Sequence, residues 1–197
     1  MSAAMRACPT LFALAGLLLA AALPPAGLVP SAAAQTVKPA PKLAAKARPA
    51  SPKKIGVFED WTAATSKEAG QTVCYAFTRV ASSSATLSGR GDVVLTVTER
   101  TGGRDAVAIS AGFAYAANAT VSAVVDQQPP LDFYTAQRSA FARDGHAAVQ
   151  AFLKGKQLVA TSPGPKGVQV ADTFSLKGFN AAYAAIVKAC PAGKAGA

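Results

Sequence analysis

From residue 55 onward the chain divides into short apolar segments, many alternating in polarity and closed off by Gly, Pro, Asn or Asp. Alternation over about 4–8 residues puts one face of a strand on a core and the other in water. IGVFEDW, residues 55–61, is read as one strand with Ile55, Val57 and Trp61 on the same side. TVCYAFT, residues 72–78, is apolar on both faces and suits a central strand. DVVLTVTER sets Val93, Leu95 and Val97 against Thr96 and Thr98. AVAISAGF, TVSAVVD, LDFYT and SAFAR supply further short strands, with turns at Gly102-Gly103 and Asn118 and a break at QQPP. KQLVATSPGPKGVQVADTFSL reads as a hairpin turning through SPGPKG.

Two helices interrupt this pattern. The first is expected between an N-cap at Asp144 and a C-terminal glycine, Gly155, with Val149, Phe152 and Leu153 as its apolar stripe. The second, in GFNAAYAAIVKACP, carries Phe179, Tyr183, Ile186, Val187 and Cys190 on one face of a 3.6-residue repeat. The expected fold is therefore mainly β: an antiparallel β sandwich or partly closed barrel with two short covering helices. Trp61 is expected in its core, with its indole N–H paired.

The N-terminus is of another kind. LFALAGLLLAAAL, residues 11–23, contains no polar residue and is shorter than the roughly 20 residues of a membrane span. It fits the apolar core of a signal peptide, with cleavage after Ala32-Ala33-Ala34. Residues 1–34 are thus expected to leave, taking Cys8 with them. The remaining cysteines are Cys74 and Cys190. In an oxidising compartment two cysteines most simply form one disulfide. A metal site would need more ligands than one histidine, His146, and thiol catalysis a nearby base.

The formal charge of +10 at first suggests nucleic acid. Its location argues otherwise. Residues 35–54 hold Lys38, Lys42, Lys46, Arg48, Lys53 and Lys54 and no acid, whereas residues 55–190 hold 12 basic and 10 acidic side chains. The first stretch, rich in Pro, Ala and Lys, is read as a disordered basic linker, with anionic envelope material as its candidate partner. Residues 55–191 are the folded domain and residues 192–197 a flexible tail. The protein is expected to be exported, to the periplasm or alternatively the outer-membrane surface, with no nucleic-acid partner.

No motif for a catalytic centre, phosphate loop or zinc site occurs, so no catalytic residue, metal or cofactor is expected. Glu59 and Asp60 are adjacent and would point to opposite faces of a strand. Asn118-Ala119-Thr120 matches a glycosylation sequon and is read as a turn. Arg90-Gly91-Asp92, the tripeptide read by integrins, lies at the end of a Ser/Gly-rich stretch. These three residues form a candidate interaction loop, against the plainer reading of a turn leading into a strand.

Taken in order, IGVFEDW, VCYAF, VVLTVTER and DTFSLKGFNAAYAAIVKACP resemble the invasion-associated locus B family of exported bacterial proteins. The resemblance covers about residues 55–191. SAFARDG also matches the family's approach to its first helix. Glu59 departs from the pattern, which would place a glycine before Asp60-Trp61. The resemblance implies a periplasmic or outer-envelope protein with a Cys74–Cys190 pair and no catalytic residues to carry over. The expected function is that of a non-enzymatic macromolecular interaction module, linked by the family name to host-cell invasion, whose envelope or host partner is unknown. The alternatives are a surface adhesin and a small-molecule-binding β barrel in the periplasm.

Overall fold

The structure, a computed structural model, describes residues 51–193. The expected signal peptide, residues 35–50 of the expected linker and residues 194–197 of the tail lie outside it. Three antiparallel strands open the domain: β1 (Lys53–Phe58), β2 (Trp61–Glu68) and β3 (Gln71–Arg79). A two-residue strand follows, β4 (Ser82–Ser83), then β5 (Val94–Arg100), β6 (Gly103–Ser110), β7 (Thr120–Val125), β8 (Leu131–Ala136) and β9 (Ser139–Ala142). Helix α1 (Gly145–Lys154) precedes the hairpin of β10 (Gln157–Pro163) and β11 (Gln169–Ser175), and helix α2 (Phe179–Ala189) closes the domain.

All these strands belong to one antiparallel sheet, in the order β1-β2-β3-β5-β6-β9-β8-β7-β10-β11-β4. The sheet curls back on itself just after β3. Val80 N–H still donates to Val93 O beside β5, but the next residue, Ala81, donates to Thr173 O on β11, at 2.8 Å. The far end of the sheet is thereby tied to its middle, giving a partly closed barrel that leaves β1 as an edge. Among the described residues no helix is long and apolar enough to cross a membrane.

Side chains fill the interior. Trp61, Phe133, Phe152, Phe174 and Phe179 are fully buried in one core shared by the sheet and both helices. The Phe179 ring lies 4.8 Å from that of Trp61 and 5.6 Å from that of Phe152, which joins α2, β2 and α1. The Trp61 indole N–H donates to Ser175 O at 3.0 Å, so the largest core side chain is buried without an orphaned donor. Asp144 caps α1 as expected, accepting from Ala147 N–H at 2.9 Å.

Three local expectations change. IGVFEDW is two strands rather than one: the chain turns at Glu59-Asp60, burying Trp61 while Ile55 and Val57 remain exposed. The basic linker ends earlier than residue 54, because Lys53 and Lys54 already pair with Thr65 and Ala64 of β2. Gly155 ends α1 with extended rather than left-handed backbone. Its reason is space, since a Cβ there would collide with the Val125 side chain.

The turn between β1 and β2 explains why a glycine would suit position 59. Glu59 adopts φ 52°, the left-handed region, which costs an L-residue roughly 1–2 kcal/mol. Gly178, at the start of α2, packs against this turn, and a Cβ there would collide with Phe58 O. Its φ of 87° is also open only to glycine at low cost. Replacing Glu59→Gly is expected to stabilise the domain by about 0.5–1 kcal/mol, after subtracting the greater unfolded-state freedom of glycine. Urea denaturation showing no gain, or a loss, would mean that the turn holds glutamate without strain.

Candidate functional site

Two parts of the domain concentrate chemistry: a buried acidic cluster beside the disulfide, and an uncovered face of the sheet. Neither contains the tripeptide singled out in the sequence. The Arg90 side chain is only 10% exposed and grips Asp172 of β11 with two hydrogen bonds, 2.6 and 3.0 Å. Its remaining donors reach Ala111 O and Ser83 Oγ, and its guanidinium lies 5.3 Å from the Phe113 ring centre. Gly91 N–H is bound to Gly112 O, and exposed Asp92 pairs with Arg79 at 2.7 Å. Arg90 thus turns inward as a structural clasp, while Gly91 and Asp92 are exposed.

Cys74 on β3 and Cys190 at the end of α2 form a disulfide, with Cα atoms 5.9 Å apart. Cys74 lies opposite Glu99 in the β3–β5 register, and Glu99 is fully buried. One Glu99 oxygen accepts from Asp105 N–H at 3.2 Å; the other lies 2.6 Å from Arg104 Nε, an ion pair not aligned as a hydrogen bond. Arg104 also donates to Cys190 O at 2.6 Å. Asp105 accepts from the Tyr183 hydroxyl of α2 at 2.6 Å and lies 2.8 Å from Nδ1 of exposed His146 on α1. The cluster therefore joins both helices to the β5–β6 hairpin.

Burial pushes the Glu99 carboxyl up to about 7, helped by its hydrogen bond to the Asp105 carboxylate. Burial also opposes charge on Asp105, but hydrogen bonds from Tyr183, His146 and Glu99 outweigh it and hold that carboxyl below its usual range. The Tyr183 hydroxyl is raised by burial and by its bond to Asp105. The shifts of the two carboxyls are thus opposite in direction, Glu99 raised and Asp105 lowered. Both carboxyls are buried, while Arg104 is 29% exposed and His146 opens to solvent. Among the described residues no group of three or more His, Cys, Asp and Glu side chains is placed to hold a metal.

The direction of the shifts sets a pH dependence. Glu99 is raised from 4.5 to about 7, so its contribution to stability is complete below the lower value and is lost as pH rises through the upper one. Asp105 acts oppositely: its contribution is present above 3.8 and is lost as pH falls through its lowered pKa. The melting temperature is expected to fall between pH 5 and pH 8, by a loss of order 1–3 kcal/mol. Glu99→Gln, which mimics the protonated acid, should flatten that slope. An unchanged slope would place the titration elsewhere.

The sheet's outward face is different in kind. The registers align Thr62, Phe77, Thr96, Ala108, Phe141 and Tyr134 in one row across β2, β3, β5, β6, β9 and β8. Opposed residues on neighbouring strands project to the same face, and this row carries no charge. Tyr75 lies beside Phe77 with ring centres 6.1 Å apart, and Tyr134 stacks on Phe141 at 5.6 Å. Three strand spacings separate the two aromatic pairs, roughly 15 Å. A groove of about 420 Å³ runs past Tyr75, Phe77, Val94 and Thr96, between Glu68 and Arg100 at one end. Uncharged, aromatic-bearing surface of this extent is typical of the centre of protein interfaces.

The family model for the invasion associated locus B (IalB) protein matches residues 61–187. The chain belongs to the invasion associated locus B family. The crystal structure of invasion associated protein B from Bartonella henselae shares 16% sequence identity and superposes with a TM-score of 0.50, covering 68% of this chain and 96% of that one. That likeness supports the common β fold. No curated protein matches the chain significantly.

The acidic cluster was missed in the sequence, yet one signal was present. Continuing the inward alternation Val93, Leu95, Val97 by one step places Glu99 on the core face. Tyr183 was read on the inward stripe of its helix, but its meeting with Asp105 gave no signal, because it depends on α2 lying across the sheet.

Proposed function

We propose that this member of the invasion associated locus B family is an exported, non-enzymatic interaction module that binds another macromolecule of the cell envelope. The observation that carries this reading is the uncharged row from Thr62 to Tyr134, an aromatic-bearing sheet face uncovered among the described residues. The small-molecule barrel is less favoured, since aromatic side chains occupy the interior. The adhesin reading loses its sequence motif with Arg90 turned inward.

Thr96→Arg inserts a charge at the middle of the row at a half-buried position. Binding of the native chain to envelopes from the producing cells is expected to be saturable, and the variant to bind at least about tenfold more weakly with a similar melting temperature. Non-saturable binding, or equal binding by the two proteins, would remove this surface from the function. Compartment is tested separately by protease treatment. A periplasmic domain resists digestion in intact cells and is cut once the outer membrane is opened; digestion in intact cells would favour surface exposure.

A further inference from the structure

The edge of the sheet beside this face has features of its own. β1 is paired on one side only among the described residues, and the opposite end of the sheet, β4, is just two residues long. Alternate residues of an edge strand direct N–H and C=O groups away from their neighbour, offering a template for another strand. Ile55 and Val57 are 39% and 59% exposed, and Val57 lies opposite Thr62, so it extends the uncharged row to the edge. The charge at the N-terminal end of β1 is basic, while Glu59, paired with Lys177, and exposed Asp60 follow its other end. Lys53 and Lys54 are exposed and make no ion pair among the described residues. Lys67, near the end of β2, donates to a threonine, while neighbouring Glu68 is taken up by Arg100.

We propose that the free edge of β1 takes up an extended, acid-bearing segment of a partner protein as an added strand. The proposal rests on the interaction reading above and names the chemistry of the partner. The register of β1 shifts between Lys54 and Gly56, so backbone hydrogen bonds on either side of that irregularity supply the attachment, as in other strand-addition complexes. The exposed Ile55 and Val57 receive apolar side chains, and the lysines face carboxylates. The same lysines disfavour a second copy at this edge, because two β1 strands would bring like charges together.

Hydrogen exchange on the native chain, with two short synthetic peptides as probes, tests this. One alternates glutamate with valine, the other lysine with valine. The acidic probe is expected to slow exchange of the β1 amides, with an effect that weakens in high salt, and the lysine probe to leave them unchanged. Lys53→Glu/Lys54→Glu should bind the acidic probe at least about tenfold more weakly while keeping its melting temperature. Equal binding of both probes, protection confined to other strands, or protection in the free chain of the β1 amides that point away from β2 would each overturn strand addition. If one of these occurs while envelope binding still responds to Thr96→Arg, only the edge proposal falls; if envelope binding is also absent, the interaction reading falls with it.

Discussion

Arg90→Ala is expected to destabilise the domain by about 3–5 kcal/mol, because it leaves the carboxylate of Asp172 buried without its cation. Asp172 is only 4% exposed at its side chain, so water cannot readily replace the guanidinium. The arginine is also the joint between β11, β4 and the chain after β6, through Asp172, Ser83 and Ala111. A lysine has no planar fork to reproduce these contacts, so Arg90→Lys should recover only a small part of the loss. The paired replacement Arg90→Met/Asp172→Leu separates the cost of an orphaned charge from the worth of the ion pair. It is expected to be clearly more stable than Arg90→Ala, since replacing both members of a buried pair with apolar side chains is often nearly neutral. Urea unfolding of the three variants measures this. If the double variant is no better than Arg90→Ala, packing over Phe113 matters more than the charge.

Removing the disulfide should have a comparable effect. Cys74 and Cys190 are 116 residues apart, and closing a loop of that size restricts the unfolded chain by roughly 4–5 kcal/mol as an upper figure. The bond also fastens the end of α2 to a central strand. Cys74→Ala/Cys190→Ala is expected to lose most of that stability, a large share of the about 5–15 kcal/mol typical of a domain. Its envelope binding at temperatures below unfolding should persist. Cys74 points into the core, whereas its neighbour Tyr75 projects to the outward face. Loss of binding by a variant that remains folded would show that the disulfide shapes the outer surface as well.

The β-rich pattern, both helices and the cysteine at the end of α2 were legible because each depends on local periodicity. The stripe through Phe179 and Ile186 faces the core as 3.6-residue spacing requires, and the Asp144 cap needs only its own first turn. Errors gathered where local pattern met a tertiary constraint. The turn at Glu59 has no glycine to announce it, so IGVFEDW read as one strand. The tripeptide at Arg90 lies in a polar, Gly-rich stretch that reads as exposed, yet its partner stands 82 positions away.

By itself, then, the sequence determined most segments beyond Trp61, the core stripes of both helices and the family, since these follow from side-chain order along one chain. Only the tertiary structure decided that Arg90 turns inward to Asp172, that Glu99 and Asp105 share a buried site with Tyr183, and that Thr62, Phe77, Thr96, Ala108, Phe141 and Tyr134 form one row. Each of those depends on strand order and register. They are set by how a curled sheet closes around a common core, and no short window of sequence contains that information.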